Sequence, residues 1–307
     1  MSQKLVLEES RFTDLIRIDE QYDRLKICNQ SDKKVDAGVL TNYLKQIEGI
    51  NRIETLTINY NSSLDDLYVL KAFTNLRSLF VHGAQIKTFN GIQWYKGKYI
   101  QIQTHRNRRR DISQISQTRV ENVDLFVERM EDFSAIAGCE YLKQIDIFHS
   151  LEPNFREWKN MPAETVSFKS CKFKELGNLS LVPNINDLSV LGCRNLEQFT
   201  GDNSNIKRLV VDSCKKLNLS TLKTFAEIEI LIVNSCTKEL NLTEISRLKY
   251  IKVVKFILCN VEVELINLKN YFPKIESLHI SGMKKEYGMQ LKQLNPDVKI
   301  TSSSFEL

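Results

Sequence analysis

The chain has 307 residues, 42% of them apolar and 26% charged, the composition of a folded protein and not of a disordered one. Its 43 basic and 38 acidic side chains leave a net charge of +5, too mixed to mark a nucleic-acid binder. No apolar run of about 18 residues is present to make a membrane-spanning helix. Five prolines and eleven glycines leave little chain for linkers. The opening MSQKLVLEES places two glutamates where a secretory apolar core would run, and seven cysteines is an odd number. Reduced thiols and a cytoplasmic location are the expectation.

In chain order, the first expected elements are a strand through Leu25 and Ile27 and then an amphipathic helix. Val39, Leu40, Tyr43, Leu44 and Ile47 form its apolar stripe, with Asp36 as N-cap and Gly49 beyond its end. Residues 1–50 are therefore read as an N-terminal cap, continuous with the remainder of the chain. From residue 51 a short pattern recurs, with apolar residues at the first and third of six positions and a small or thiol residue at the sixth. VSFKSC ending at Cys171, LSVLGC at Cys193, LVVDSC at Cys214, LIVNSC at Cys236 and VKFILC at Cys259 are its clearest copies. Their first apolar residues are Val166, Leu188, Leu209, Leu231 and Val254. The same register runs back through Ile145, Val123, Ile100, Leu79 and Leu56 and forward to Leu278, every 21 to 24 residues. Val298 and Ile300 supply a last strand.

Eleven copies in phase, over residues 50–300, resemble the leucine-rich repeat family, whose consensus is L-x-x-L-x-L-x-x-N/C-x-L. The usual Leu-Pro after the Asn/Cys is missing, and the copies around Ile100, Val123 and Ile145 match least well. The resemblance implies an α/β solenoid of about eleven or twelve coils over residues 51–307, a curved horseshoe. One long parallel sheet would line its concave face, with short helices and 3-10 turns on the convex face. Physical reasoning agrees, because no coil can cover its own apolar edge and stacking buries a continuous core. Leu188 and Val190 should point inward while Ser189 and Leu191 point out. Return segments carry apolar residues at helical or 3-10 spacing, such as Leu64, Leu67 and Leu70, or Leu265, Leu268 and Phe272.

The resemblance also implies that the Asn/Cys place turns inward and satisfies backbone groups. Asn61, Cys171, Cys193, Cys214, Cys236 and Cys259 occupy it. Stacked coils set such side chains parallel, and a disulfide needs its Cβ vectors directed toward each other. No Cys-x-x-Cys pair or His partner accompanies them, so small buried thiols are expected, with no metal. Cys28 and Cys139 lie off this column.

Catalytic spacings are missing: there is no H-E-x-x-H, G-x-S-x-G or G-x-G-x-x-G, and the four histidines are widely separated. A non-catalytic protein without a cofactor is expected. The densest charge run, Arg106, Arg108, Arg109 and Arg110, comes after the strand at Ile100. It is either a solvated turn or a patch for an anionic partner, an acidic protein ahead of nucleic acid. The outward columns of the strands are more informative. Asp124 and Asp146 share one column and Phe126 and Phe148 another, with Phe80, His82 and Tyr99 toward the N-terminus. Toward the C-terminus the face turns apolar through Leu191, Val210, Ile232 and Ile257. Aromatic anchors ringed by carboxylates suit protein recognition.

The expected function is a protein-protein recognition scaffold, a monomer with self-association as the alternative, binding its partner stoichiometrically as an inhibitor. A bacterial immunity-type antitoxin covering a basic toxin or enzyme is the leading specific reading. The alternatives are an adaptor or substrate receptor in a larger assembly, a host-directed effector, and nucleic-acid binding through the arginine run.

Overall fold

The computed structural model describes residues 3–31, 34–103, 110–126, 131–151, 158–236 and 239–307. The chain divides into two compact units, residues 1–146 with 160–163, and residues 147–159 with 164–307.

In the first unit, strands β1 (Gln3–Glu8), β2 (Tyr22–Cys28), β3 (Thr55–Ile58), β4 (Ser78–Val81), β5 (Tyr99–Gln103) and β6 (Asn122–Phe126) pair in parallel in chain order. The register places Leu5, Leu25, Leu56, Leu79, Ile100 and Val123 side by side across it. Leu56, Leu79 and Ile100 are fully buried. Each buried aliphatic of this kind contributes about 1.5–3 kcal/mol, which is why the register is fixed by the apolar repeat and not by loop length. β1 was not expected from the repeat; its Leu5 and Leu7 carry the same alternation one coil earlier. Helix α1 (Ala37–Leu44) lies between β2 and β3, with the Asp36 carboxylate accepting from the Val39 N–H at 2.9 Å and Leu40 and Leu44 buried. The return from β3 closes with a 3-10 turn over Tyr68–Ala72 that buries Val69 and Leu70. At the strand entries charges of opposite sign meet: Arg77 pairs with Glu54 at 3.3 Å, and Glu121 receives Lys98 at 2.5 Å and Lys143 at 2.8 Å. Exposed pairs add little stability, but the alternation keeps like charges from stacking.

The strand β7 (Gln144–Phe148) contains the division between the units. Helix α2 (Glu131–Ala137) precedes it. In the second unit, β8 (Thr165–Lys169), β9 (Glu175–Gly177), β10 (Asp187–Leu191), β11 (Gln198–Thr200), β12 (Arg208–Asp212), β13 (Ile230–Asn234), β14 (Leu240–Asn241), β15 (Val253–Ile257), β16 (Val261–Glu262), β17 (Ser277–Ile280), β18 (Lys299–Ser302) and β19 (Phe305–Glu306) succeed one another. The main ladder places Val166, Leu188, Leu209, Leu231, Val254, Leu278 and Ile300 side by side, all parallel. β9 with β11 and β14 with β16 form separate two-stranded pairs, and helix α3 (Lys285–Leu294) precedes the closing antiparallel β18–β19. Among the described residues no helix is long and apolar enough to cross a membrane.

From β7 onward, strands leave the sheet through a left-handed residue four places after the first inward side chain. His149, Ser170, Ser213, Ser235 and Leu258 have φ of 52 to 62°, and Gly192 has 65°. The turn aims each N–H at the next coil: Ser170 donates to Leu191 O at 2.8 Å, Gly192 to Asp212 O at 2.8 Å and Ser235 to Ile257 O at 2.8 Å. The residue after the turn then points inward, which is where the cysteines sit.

Candidate functional site

The cysteine column shows how the coil edge is satisfied. The thiols of Cys171, Cys193, Cys214 and Cys259 lie 3.4 to 3.6 Å from the carbonyls of Ile147, Phe168, Val190 and Val233, one coil back. A sulfhydryl is a weak donor, but a buried carbonyl left without one costs more. Cys171, Cys193, Cys214 and Cys236 are buried and Cys259 is half-buried; all seven cysteines are free. Hydrogen bonding to Cys193, then burial, pushes the Cys171 and Cys214 thiols far above the ordinary value. Burial alone raises Cys139, behind α2, to about 12. Among the described residues no group of three or more His, Cys, Asp or Glu is arranged to hold a metal.

Asn61 does not join this column. It is half-buried and accepts from the Asn59 amide at 2.7 Å, while Ser62 takes the fully buried place. The turn after β3 has no left-handed residue to rotate Asn61 inward.

Arg110 also departs from the sequence reading. Its guanidinium donates to Ile86 O at 3.1 Å, Gln103 O at 2.7 Å and Gly83 O at 2.6 Å, so it ties backbone carbonyls near the ends of β4 and β5 instead of facing an anionic partner. Arg106, Arg108 and Arg109 lie outside the described residues.

On the outward face of the first unit, register aligns Phe80, Gln101 and Asp124 across β4, β5 and β6. His82 Nε2 lies 2.7 Å from Gln101 Oε1, Gln101 Nε2 donates to Asp124 Oδ2 at 3.3 Å, and the Tyr99 hydroxyl donates to the same oxygen at 2.7 Å. Phe80 packs against Tyr99 at 5.6 Å and edge-on to His82 at 6.1 Å. Burial, then the bond to Asp124 and the charges of Asp124 and Asp146, hold the Tyr99 phenol well above its ordinary value. Phe126 is half-buried, but Asp146 is only 6% exposed and accepts from Gln144 at 3.3 Å. It alternates with the inward Ile145 and Ile147, so it lies on the outward side but is covered there instead of presenting itself to a partner. Gln101, absent from the residues singled out by sequence, is the bridge of the network; the one-after-apolar column that gave Phe80 and Asp124 contains it.

In the second unit, Phe148 is half-buried with the Lys169 ammonium 5.2 Å from its ring centre. Leu191, Val210, Ile232 and Ile257 are half-buried on the outward face. Val210 pairs with Ile232 across β12 and β13, and Ile230, not singled out by sequence, pairs with Val253. Arg208 grips Asp187 through one nitrogen at 2.8 and 3.0 Å, and Lys255 and His279 bound the apolar area on its other side. Leu258 is 73% exposed.

No family model matches the sequence, and no curated protein matches it. Solved structures do. An internalin of Listeria monocytogenes is 16% identical, with 84% of this chain and 72% of that one covered and a TM-score of 0.49. A leucine-rich-repeat protein of Leptospira interrogans is 12% identical over 97% of this chain and 89% of its own, with a TM-score of 0.44. A chain of the Drosophila Toll–Spatzle complex reaches a TM-score of 0.55 at 11% identity, over 90% of this chain but only 42% of its own length. At these identities likeness speaks to fold alone; the Toll–Spatzle chain, with a TM-score above 0.5, agrees with the strand-turn-return coils of both units: this chain has the leucine-rich-repeat fold.

Proposed function

We propose that the chain is a non-catalytic protein-recognition scaffold, binding one partner stoichiometrically through the outward faces of its strands and acting by covering it. The observation that carries this reading is the composition of those faces. Aromatic and aliphatic side chains (Phe80, Tyr99, Phe126, Val210, Ile232 and Ile257) stand half-exposed on a hydrogen-bonded sheet, beside polar and charged groups. Side chains fixed on a ladder lose little further freedom on binding, so contact energy is not spent on ordering them. A standard interface needs about 800 Å² per partner, within reach of a few coils. The fold likeness to a chain of the Toll–Spatzle complex supports a protein as the partner. An immunity-type antitoxin, occluding a basic toxin or enzyme, is the narrower form of the proposal, supported by the Asp124 carboxylate among aromatic rings. Seven free thiols support a reducing compartment, and the cytoplasm is the proposed location.

The test is affinity capture on the full chain from the cell that encodes it, with Phe126→Ala/Ile232→Asp as the comparison. One protein retained at 1:1 by the parent and lost by the double variant, with its activity suppressed in the complex, is expected. Retention indifferent to these substitutions would overturn the reading.

A further inference from the structure

Asp124 is bonded unevenly. Oδ2 takes both of its hydrogen bonds, from Tyr99 at 2.7 Å and Gln101 at 3.3 Å, and both donors are neutral. Among the described residues Oδ1 has no donor and the carboxylate no cation. The lysines that flank this part of the sheet, Lys98 and Lys143, are held by Glu121 at the strand entry. The fixed neighbours also limit what Asp124 can do for itself. Gln101 keeps its NH₂ end toward Asp124, because the amide oxygen turned there would face the carboxylate, and the Tyr99 ring is packed on Phe80 at 5.6 Å with an interplanar angle of 58°. The result is an outward carboxylate oxygen beside the packed Phe80–Tyr99 ring pair.

We propose that this notch, formed by Phe80, Tyr99, Gln101 and Asp124, holds the guanidinium of an arginine on the partner protein. The inference rests on the recognition reading and names the chemistry it would use. An anion is repelled here. A divalent metal ion needs several oxygen ligands and would find one. A guanidinium fits both halves: one N–H reaches Oδ1 while its flat, weakly hydrated face lies on the rings. A lysine ammonium would meet the carboxylate but keep more of its water, and would gain less from the ring pair.

Selection of phage-displayed random peptides on the purified full chain tests this, with the best binder resynthesised. The expected binder carries an arginine. Its Kd rises about tenfold or more when that arginine becomes citrulline, or when Asp124→Asn replaces the carboxylate, and the two changes together cost little more than either alone. The Asp124→Asn side chain keeps the shape and an oxygen for Tyr99, and unchanged thermal unfolding confirms that the variant folds. Binders that need no arginine, that accept lysine in its place at equal affinity, or that hold equally to the Asp124→Asn chain overturn this inference and leave the recognition reading standing. Failure to select any binder to the outward faces contradicts both.

Discussion

The Glu9 carboxylate is fully buried and is met by Ser63, whose N–H lies 3.1 and 3.0 Å from its two oxygens and whose hydroxyl closes on one of them. The Ser62 hydroxyl donates to the other oxygen. Three neutral donors thus hold one acidic group, fixing the segment after β1 to the turn after β3. A buried charge is tolerated only when its hydrogen bonds are complete. Glu9→Gln keeps the volume but turns an amide NH₂ toward donors, leaving at least one of them unmet. A loss of about 2 kcal/mol in chemical denaturation is expected, together with faster proteolysis near residues 9–14. Unchanged stability and cleavage would show that the contact is dispensable.

The cysteine column makes a graded prediction. Four of its five thiols are buried, and Cys259 alone is half-buried, lining a cavity of about 350 Å³ with Val261, Met283 and Tyr287. A bulky maleimide on the native protein should modify Cys259 first, while Cys171, Cys193, Cys214 and Cys236 wait for unfolding. Peptide mass spectrometry after short labelling reads this directly. Equal labelling of all five would mean that the column faces solvent, against the ladder register.

The same column shows what the sequence made legible. An apolar residue every 21 to 24 positions defines which strand faces stack, and Ile100 and Val123 meet in the ladder even where the motif is weakest. Periodicity is a backbone signal, so it carried the fold and the outward columns containing Phe80 and Asp124. It could not give events decided by one or two dihedrals. Asn61 stands at the Cys place, yet its turn lacks the left-handed residue that swings Cys193 inward after Gly192. Arg110 looked like surface charge because three carbonyl acceptors scattered along the sequence do not appear as a motif. The partners of Glu9 are more than fifty residues away, and no local pattern announces them.

Two tyrosines give the pH dependence. Burial holds the phenols of Tyr95 and Tyr99 above their ordinary value, and Asp124 adds to the shift at Tyr99. A group whose value is raised in the folded state favours folding while protonated. Its contribution is complete below the unfolded value of about 10 and is lost as pH rises beyond it. Stability should therefore fall between about pH 10 and 12, and Tyr99→Phe should flatten part of that fall. Denaturation midpoints across this range, compared for the two chains, provide the check. An identical slope in the variant would remove Tyr99 as a cause.

Leu258 has a φ of 52° at the turn position that Gly192 fills in an earlier coil with a φ of 65°. A left-handed conformation costs a side-chain-bearing residue about 1–2 kcal/mol, and glycine escapes most of it while losing up to about 1 kcal/mol in chain entropy. With Leu258 73% exposed, little packing is lost on its removal. Leu258→Gly should therefore be neutral or stabilising by up to about 1 kcal/mol, an unusual result for truncating a leucine. Gly192→Ala runs the other way. A Cβ there meets only Ser170, its Oγ at 3.5 Å, so space is available and the whole cost, about 1 kcal/mol, is backbone strain. Urea denaturation of both variants gives the two signs independently. If Leu258→Gly is instead strongly destabilising, the leucine is covered by a contact in solution and is not free surface.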